Sequence, residues 1–225
     1  MSRSNLGEAI EQRDYRIYET MSYEMIANAR SCVIKDPDFI PAVKGNVYAL
    51  DSTTINLCLN VFWWASFRKA KRGIKIHTLC DVKTSIKCFL WITVALLNDM
   101  NGPDVLSYEA GGYYILDKGY IDYSRLYKIH CLDAYHLTGA KANADFTRRY
   151  SRKANKSKGI LCDKTVVLTN FYPKKDYPIP LRRIKYYDSE AERTFVHITN
   201  NFDLEATDIA MLYKYRWRVE LFLNG

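Results

Sequence analysis

The chain has 225 residues, 48% of them hydrophobic, and a formal net charge of +8. This length and apolar content support a globular chain whose core needs no cross-links, and no apolar run reaches the roughly 18 residues that a membrane-spanning helix requires. The excess of positive charge favours a polyanionic partner, most commonly nucleic acid.

The six cysteines form no Cys-x-x-Cys pair, and several lie within apolar stretches. We expect them to be reduced and buried as small hydrophobic residues. The N-terminus also lacks the apolar segment of a signal peptide, so we expect a cytoplasmic protein without a membrane partner.

The first part of the chain predicts one helix followed by three strands. Apolar residues recur at helical spacing from Glu11 to Arg30, and prolines and a glycine then interrupt the pattern. Val47 to Ile55, Gly73 to Leu79 and Cys88 to Ala95 are rich in β-forming residues. Their short connections favour an antiparallel meander.

The next stretch predicts a strand, a helix and a strand. Tyr113 to Leu116 is an apolar run that ends in Asp-Lys-Gly-Tyr, which is typical of a strand followed by a turn. Asp122 can cap a helix that runs through Leu126 to His130, and Ala134 to Thr138 predicts the returning strand.

Beyond Gly139 the chain becomes basic and then β-rich. Three β-like runs follow, at Ile160 to Leu168, Leu181 to Tyr187 and Thr194 to Thr199, and we interpret them as an inserted β-rich module. A final helix is expected to begin between Leu204 and Asp208.

This order of elements predicts an α/β fold of the ribonuclease-H-like type, a mixed sheet flanked by helices, with a β-rich insertion before the last helix. A fold predicted in this way does not specify a function. We expect an N-terminal helix and linker in 1–45, the first part of the core in 46–139, the insertion in 140–202 and the terminal core helix in 203–225.

Three acidic residues stand out on these elements. Asp51 lies within an apolar strand, where an unpartnered carboxylate is very unfavourable, and Asp117 follows the strand Tyr113 to Leu116. Singly, an ion pair of Asp51 with Arg72 or a plain turn role for Asp117 would explain them. Together with Glu220 they predict a carboxylate cluster for divalent cations such as Mg²⁺, which can cleave and rejoin phosphodiesters.

Tyr213, Arg216 and Glu220 share one stripe of the final helix, within an arc of roughly 60°. A hydroxyl, a guanidinium and a carboxylate on one stripe suit a site for a metal and a phosphate. The alternative is the solvated charged face of an ordinary amphipathic helix.

Two basic clusters predict a surface that follows a phosphate backbone, with a solvated loop as the alternative for each. The first contains Arg68, Lys69, Lys71, Arg72 and Lys75. The second surrounds Tyr150 and contains Arg148, Arg149, Arg152, Lys153, Lys156 and Lys158.

Four motifs in this order resemble the DDE transposases of bacterial insertion sequences, in the group named after insertion sequence four. They are Asp51-Ser-Thr-Thr-Ile, Gly73-Ile-Lys-Ile-His-Thr-Leu, Asp117-Lys-Gly-Tyr and Tyr213-x-x-Arg216-x-x-x-Glu220. The resemblance extends over nearly the whole chain.

The resemblance implies that Asp51, Asp117 and Glu220 are catalytic ligands of Mg²⁺, with Mn²⁺ as a substitute, in cleavage at transposon ends and strand transfer. It implies that Tyr213 and Arg216 contact DNA near the cleaved strand. The expected partner is double-stranded DNA, at the transposon ends and the target, bound by a homodimer. Five basic residues are further expected DNA contacts: Lys118, Arg72, Lys75, Arg148 and Arg149.

The chain departs from the family pattern at four points. The lysine that usually follows the glutamate would lie beyond Gly225, and few residues precede the first strand. Asn98-Asp99 stands where many relatives have His-Asp, and Lys118 replaces an arginine, which keeps the charge but loses the bidentate geometry. We therefore expect a transposase fragment that is truncated at both ends.

Two alternatives follow. One is a catalytically inactive fragment that still binds DNA, because Glu220 lies close to the end of its helix, where helices fray. The other is a host nuclease of the same fold.

Overall fold

The computed structural model describes residues 12–14, 16–32, 43–57, 66–67, 71–94 and 106–224, without the side chains of 54–57, 66–67, 71–73, 94 and 218–224. The helices of at least six residues are α1 (Arg16–Cys32), α2 (Tyr123–Cys131), α3 (Phe171–Asp176) and α4 (Ala206–Asn224). The strands are β1 (Val47–Leu57), β2 (Ser66–Phe67), β3 (Lys71–Asp81), β4 (Ile86–Val94), β5 (Tyr113–Leu116), β6 (Tyr135–Gly139), β7 (Phe146–Arg152), β8 (Ile160–Leu168), β9 (Leu181–Asp188) and β10 (Arg193–Thr199).

In the described residues, ten strands form one mixed sheet in the order β2-β3-β1-β5-β6-β10-β9-β8-β7, with β4 also paired to β3. The strands β1, β3 and β4 are antiparallel neighbours, whereas β1, β5 and β6 are parallel. Helices pack on both faces. This arrangement confirms the predicted ribonuclease-H-like fold and its meander.

Side-chain alternation along the central strands creates two separate cores. On one face, Val47 and Ala49 of β1 and Ile115 of β5 pack with residues of α4. On the other, Leu50 and Leu116 pack with residues of α2. All four residues of β5 are buried, because a central parallel strand is covered on both faces.

Local signals place α2 as predicted. The Asp122 carboxylate accepts a hydrogen bond from the Arg125 amide at 3.0 Å and so caps the helix. The returning strand β6 begins one residue later than expected. Because α2 is short and capped, its apolar residues Leu126 and Ile129 are fixed against the sheet.

The β-rich segment continues the central sheet, because β10 pairs with β6 and β9, and β8 and β7 follow. The three predicted strands of this segment are confirmed, but β7 was missed because its basic sequence lacks apolar alternation. Arg182 and Asp163, both buried, join β9 to β8 through hydrogen bonds of 2.7 and 3.0 Å. The division of the chain into four segments stays a prediction.

The apolar residues of α1 are largely exposed, and the expectation about the cysteines needs correction. The helix α1 packs against β4 but buries none of its residues, and Met25 is 60% exposed. Among the described cysteines, Cys80 is buried as predicted, whereas Cys32 and Cys131 are exposed. Burial depends on which face an element presents, which cysteine spacing does not report.

Candidate active site

Asp51 and Asp117 occupy neighbouring positions on two adjacent parallel strands. Leu50 of β1 pairs with Leu116 of β5, and each aspartate is the next residue of its chain segment. Adjacent strands lie about 4.8 Å apart, so the two aspartates are backbone neighbours. Both are partly exposed, and alternation places both on the sheet face that α4 covers.

The turn after β5 fixes the Asp117 carboxylate. Its Oδ2 accepts a hydrogen bond from the Gly119 amide at 3.2 Å, and Asp117 caps the 3₁₀ turn Lys118–Tyr120. Its Oδ1 lies 3.7 Å from Nη2 of Arg216 on α4. The carboxylate is therefore held between its own strand end and the final helix.

Arg216 is buried in this position, with only 5% of its side chain exposed. Its guanidinium lies over the rings of Tyr213 and Trp217, at 5.4 and 5.2 Å from their centroids. The guanidinium therefore places a buried positive charge beside the Asp117 carboxylate. Arg216 thus contacts Asp117, and its role in DNA binding stays a prediction.

Tyr213 of α4 is also buried, and it packs against the end of β6. Its ring lies 4.4 Å from the buried His197 ring, between centroids. A Cβ atom at Gly139 would lie 3.1 Å from the Tyr213 hydroxyl oxygen, so the bare glycine allows this close approach. Glu220 follows Arg216 by four positions in α4, and its side chain lies outside the described residues.

The five predicted basic contacts do not form one surface. Lys118 is exposed beside Asp117. Lys75 pairs with Thr54 of β1, three positions from Asp51, so alternation places it on the opposite sheet face. The side chain of Arg72 lies outside the described residues.

Arg148 and Arg149 lie on β7, which ends the strand order at the far side of the sheet. Both are exposed, and a register shift between Arg148 and Tyr150 marks a β-bulge. Five strand steps separate β7 from β5, or about 24 Å measured along the sheet. These arginines are therefore remote from the aspartates.

The carboxylate pair fits a divalent cation in its chemistry. Hard carboxylate oxygens that are partly open to water are what Mg²⁺ binds in proteins. Here one lies within β1 and the other directly follows the neighbouring strand β5. Among the described side chains, no group of three or more His, Cys, Asp or Glu residues converges as metal ligands, but Glu220 is not one of those side chains. The described residues thus supply two of the three predicted ligands.

An open cleft of about 770 Å³ lies between α4 and the β9-β10 hairpin. Its lining residues include Tyr213 and Trp217, which contact Arg216. The cleft therefore adjoins the aspartate pair through Arg216. Aromatic residues provide much of its wall: Tyr186, Phe195, Tyr213, Tyr215 and Trp217.

Lys214 closes one side of this cleft by joining α4 to the hairpin turn. Its ammonium donates to Asp188 at 2.8 Å and to Glu190 at 2.9 Å, and these bonds raise the pKa of Lys214. Burial opposes ionisation of Asp188, but bonds from Lys214 and from the Glu190 and Ala191 amides outweigh it and lower the pKa of Asp188. We refer to Lys214, Asp188 and Glu190 as the hairpin clamp.

Sequence reasoning missed the hairpin clamp and Trp217. Lys214 and Trp217 lie within the motif segment and were visible as helix residues. The partners of Lys214 are Asp188 at the end of β9 and Glu190 in the following turn, and no local pattern in the sequence indicates these contacts. Trp217 contacts the preceding residue, Arg216, and the helical pattern alone does not show that this contact lies beside Asp117.

Comparison with known proteins identifies the family. Residues 43–224 match the family model described as transposase DDE domain. The chain belongs to the DDE transposase family. This membership favours the transposase interpretation over a host nuclease.

Two curated relatives support the match. A chain of Sinorhizobium fredii named as transposase y4zB is 33% identical over 179 residues, which cover 78% of this chain and 49% of the relative. A chain of Geobacillus stearothermophilus named as a transposase for insertion sequence element IS5377 is 25% identical over 177 residues, 78% of this chain and 46% of the relative. The chain thus spans about half the length of these relatives.

Solved structures show lower similarity. A piggyBac transposase synaptic complex with hairpin DNA matches with a TM-score of 0.45 and 12% identity, over 80% of this chain and 40% of that chain. Endonuclease V from Streptomyces avermitilis matches with a TM-score of 0.37 and 12% identity, over 92% of this chain and 91% of that chain. In the described residues, no helix is long and apolar enough to cross a bilayer.

Proposed function

We propose that this chain is the catalytic core of a DNA transposase, which cleaves a phosphodiester at the ends of an insertion sequence and joins the freed 3′-hydroxyl to target DNA. One observation carries the proposal: Asp51 and Asp117 lie side by side on the sheet face covered by α4, whose motif residue Arg216 contacts Asp117. Two transposon ends require two copies, so we propose a homodimer on DNA.

Asp51, Asp117 and Glu220 would hold Mg²⁺, or Mn²⁺ in its place. When bound, such ions activate the attacking oxygen and stabilise the leaving oxygen of a phosphodiester. The chain's own contribution is placement, because the adjacent strands β1 and β5 position Asp51 and Asp117 and α4 carries Glu220. Lys118, exposed beside Asp117, would bind a phosphate of the incoming strand.

The inactive DNA-binding fragment remains a second candidate, and the Arg216–Asp117 contact favours it. A guanidinium 3.7 Å from Oδ1 already supplies positive charge to this carboxylate. A cation must therefore compete with Arg216 for Asp117. A chain in which Arg216 stays in place would bind DNA without cleaving it.

Substitution of the carboxylates tests both candidates. We expect Asp51→Asn, Asp117→Asn and Glu220→Gln each to weaken Mn²⁺ binding at least tenfold, because each removes a charged ligand. Mn²⁺ binding would be measured by electron paramagnetic resonance, and nicking would be measured on supercoiled DNA. DNA affinity should stay within twofold.

Glu205→Gln is the matched control, because Glu205 is an exposed carboxylate just before the same helix. It should leave Mn²⁺ binding unchanged. The transposase core is supported if all three site variants lose Mn²⁺ binding and the wild-type chain nicks DNA. Equal Mn²⁺ affinity in the wild type and the site variants contradicts the metal assignment, and retained DNA affinity without nicking favours the inactive fragment.

A further inference from the structure

Phe171 and Tyr172, at the start of α3, are the most exposed large hydrophobic residues among those described. Their exposed fractions are 74% and 75%, and their rings meet edge to face at 5.4 Å. Lys174 and Lys175 follow them and are also exposed. An aromatic pair this exposed, next to lysines, marks an interaction surface rather than part of the core.

The helix under this pair is held at both ends. At its start, the Asn170 side chain donates to Asp145 at 3.3 Å. At the other end, Tyr177 is buried and its hydroxyl lies 3.1 Å from Nε2 of His136. The rings are therefore presented on a fixed support, which lowers the entropy lost when a ligand stacks on them.

A small pocket lined by both polar and apolar residues lies beside the pair. Its volume is about 160 Å³, several times the roughly 30 Å³ of one water molecule. Lys141 lines it and donates one hydrogen bond to the Ile121 carbonyl at 3.2 Å. Tyr123 lines it too, and its buried hydroxyl has no hydrogen-bond partner among the described residues.

These donors suit an anion the size of a phosphate group. An ammonium has three N–H donors, so Lys141 can still donate after its bond to Ile121. A buried hydroxyl without a partner is unfavourable by itself and is satisfied when a ligand oxygen accepts from it. Asp145 also lines the pocket, and its negative charge offsets that of Lys141, so the excess of positive charge comes from the exposed Lys174, Lys175 and Arg148 around it.

The charges around the pair identify the partner class. The exposed cations Lys141, Lys174 and Lys175, with Arg148 on the neighbouring strand, outnumber the exposed anions Asp145 and Asp176. Arg148 and α3 lie on the same face of the sheet, the one that α2 covers. Arg148 pairs with Val166, and both Val166 and Tyr177 at the end of α3 belong to the core on that face. Cations around exposed aromatic rings are the combination that binds single-stranded nucleic acid.

We propose that this surface binds a single-stranded segment of DNA. A backbone phosphate occupies the pocket of Lys141 and Tyr123, and the adjoining base stacks on Phe171 or Tyr172. The proposal rests on the proposed function, because cleavage of a duplex frees a strand end that can leave the base stack. The pocket lies on the sheet face that α2 covers, whereas the aspartates lie on the face that α4 covers. Ile121, whose carbonyl accepts from Lys141, is four residues after Asp117, so the chain crosses between the two faces here and a freed strand would follow this crossing around the end of β5.

The test compares the full chain with the double variant Phe171→Ser/Tyr172→Ser. Fluorescence anisotropy measures affinity for a labelled oligothymidine and for a labelled duplex. Loss of base stacking should weaken oligothymidine binding about fivefold to hundredfold, whereas duplex binding changes less than twofold. Both rings are exposed, so the melting temperature should not fall.

Two further variants complete the test: one changes the phosphate pocket, and the other is a control for the loss of exposed apolar side chains. Tyr123→Phe removes only the hydroxyl and should weaken oligothymidine binding severalfold. Ile17→Ser/Met25→Ser removes two exposed apolar side chains of α1 and should have no effect, since these residues are 56% and 60% exposed on another element.

The outcomes separate this inference from the proposed function. If the wild-type chain binds neither the oligothymidine nor the duplex, the proposed function is contradicted. A wild-type chain that binds DNA while the double variant binds oligothymidine equally well overturns only the single-strand surface. Unchanged DNA binding with a shift from dimer to monomer in sedimentation would assign the aromatic pair to a second copy of the chain instead.

Discussion

At the scale of single residues, Arg216 connects the two parts of the candidate site. It is buried, it contacts the Asp117 carboxylate at 3.7 Å, and it packs against Tyr213 and Trp217. A lysine in its place would keep the charge but lose the planar group that stacks on both rings. The motif arginine therefore has a structural contact in addition to its predicted role at DNA.

Two buried histidines make stability depend on pH. Burial lowers the pKa of His136 to about 3, with a smaller contribution from His130, and burial lowers the pKa of His197 to about 3. In the unfolded chain both titrate near 6.5. Between these values the unfolded state binds more protons than the folded state, so stability is full above about pH 6.5 and is lost as pH falls towards 3.

We expect the free energy of unfolding to fall by about 1.4 kcal/mol per pH unit for each histidine below pH 6. Urea denaturation at several pH values between 7 and 5 measures this slope. His197→Phe should remove about half of the histidine contribution, since it leaves only His136 to titrate. A slope that is identical in wild type and variant would show that His197 is not the titrating group.

At the scale of elements, the placement of α4 decides whether the third carboxylate can join the other two. The helix crosses the sheet over β1, β5 and β6, and the hairpin clamp joins it to the β9-β10 turn. Lys214 is two residues before Arg216, so the clamp holds the same turn of the helix that contacts Asp117. The β-rich segment thereby helps to position the motif helix.

We expect Lys214→Met to destabilise the chain by about 1–3 kcal/mol, because Asp188 would remain buried without its cationic partner. Hydrogen exchange should become faster in the second half of α4 than in α2. Lys214→Arg should restore most of the protection. The control is Lys185→Met on β9, where the lysine is exposed, and equal exchange in both methionine variants would contradict the role of the clamp.

At the scale of the whole molecule, the positive charge is spread over distant surfaces. Lys118 lies beside the aspartates, whereas Arg148 and Arg149 lie on the last strand of the sheet. A duplex that reaches both must follow the sheet for about 24 Å. Such an extended contact makes affinity depend strongly on salt and weakly on sequence.

We expect Arg148→Ala/Arg149→Ala to weaken duplex binding for all sequences alike and to reduce the slope of log affinity against log salt by about 1 to 2. Arg16→Ala is the control. Arg16 lies on α1, which packs on β4, far from β7 in the strand order of the sheet. Anisotropy at several salt concentrations measures both slopes. An unchanged slope in the double variant would remove β7 from the DNA-binding surface.

The sequence by itself determined the elements whose signals are local. The apolar run Tyr113 to Leu116, ended by Asp-Lys-Gly, defined β5 to the residue, and Asp122 located the start of α2. The motif spacing also indicated the family. These features depend on neighbouring residues along the chain, which the sequence shows directly.

Tertiary structure alone decided which of these residues meet. It placed Arg216 against Asp117, Lys214 against Asp188, and Lys75 on the opposite face from Asp51. Each contact depends on strand register or on the position of α4, and these are set by non-local pairing and by packing of both cores. Periodicity and propensity report one element at a time, so they cannot specify such contacts.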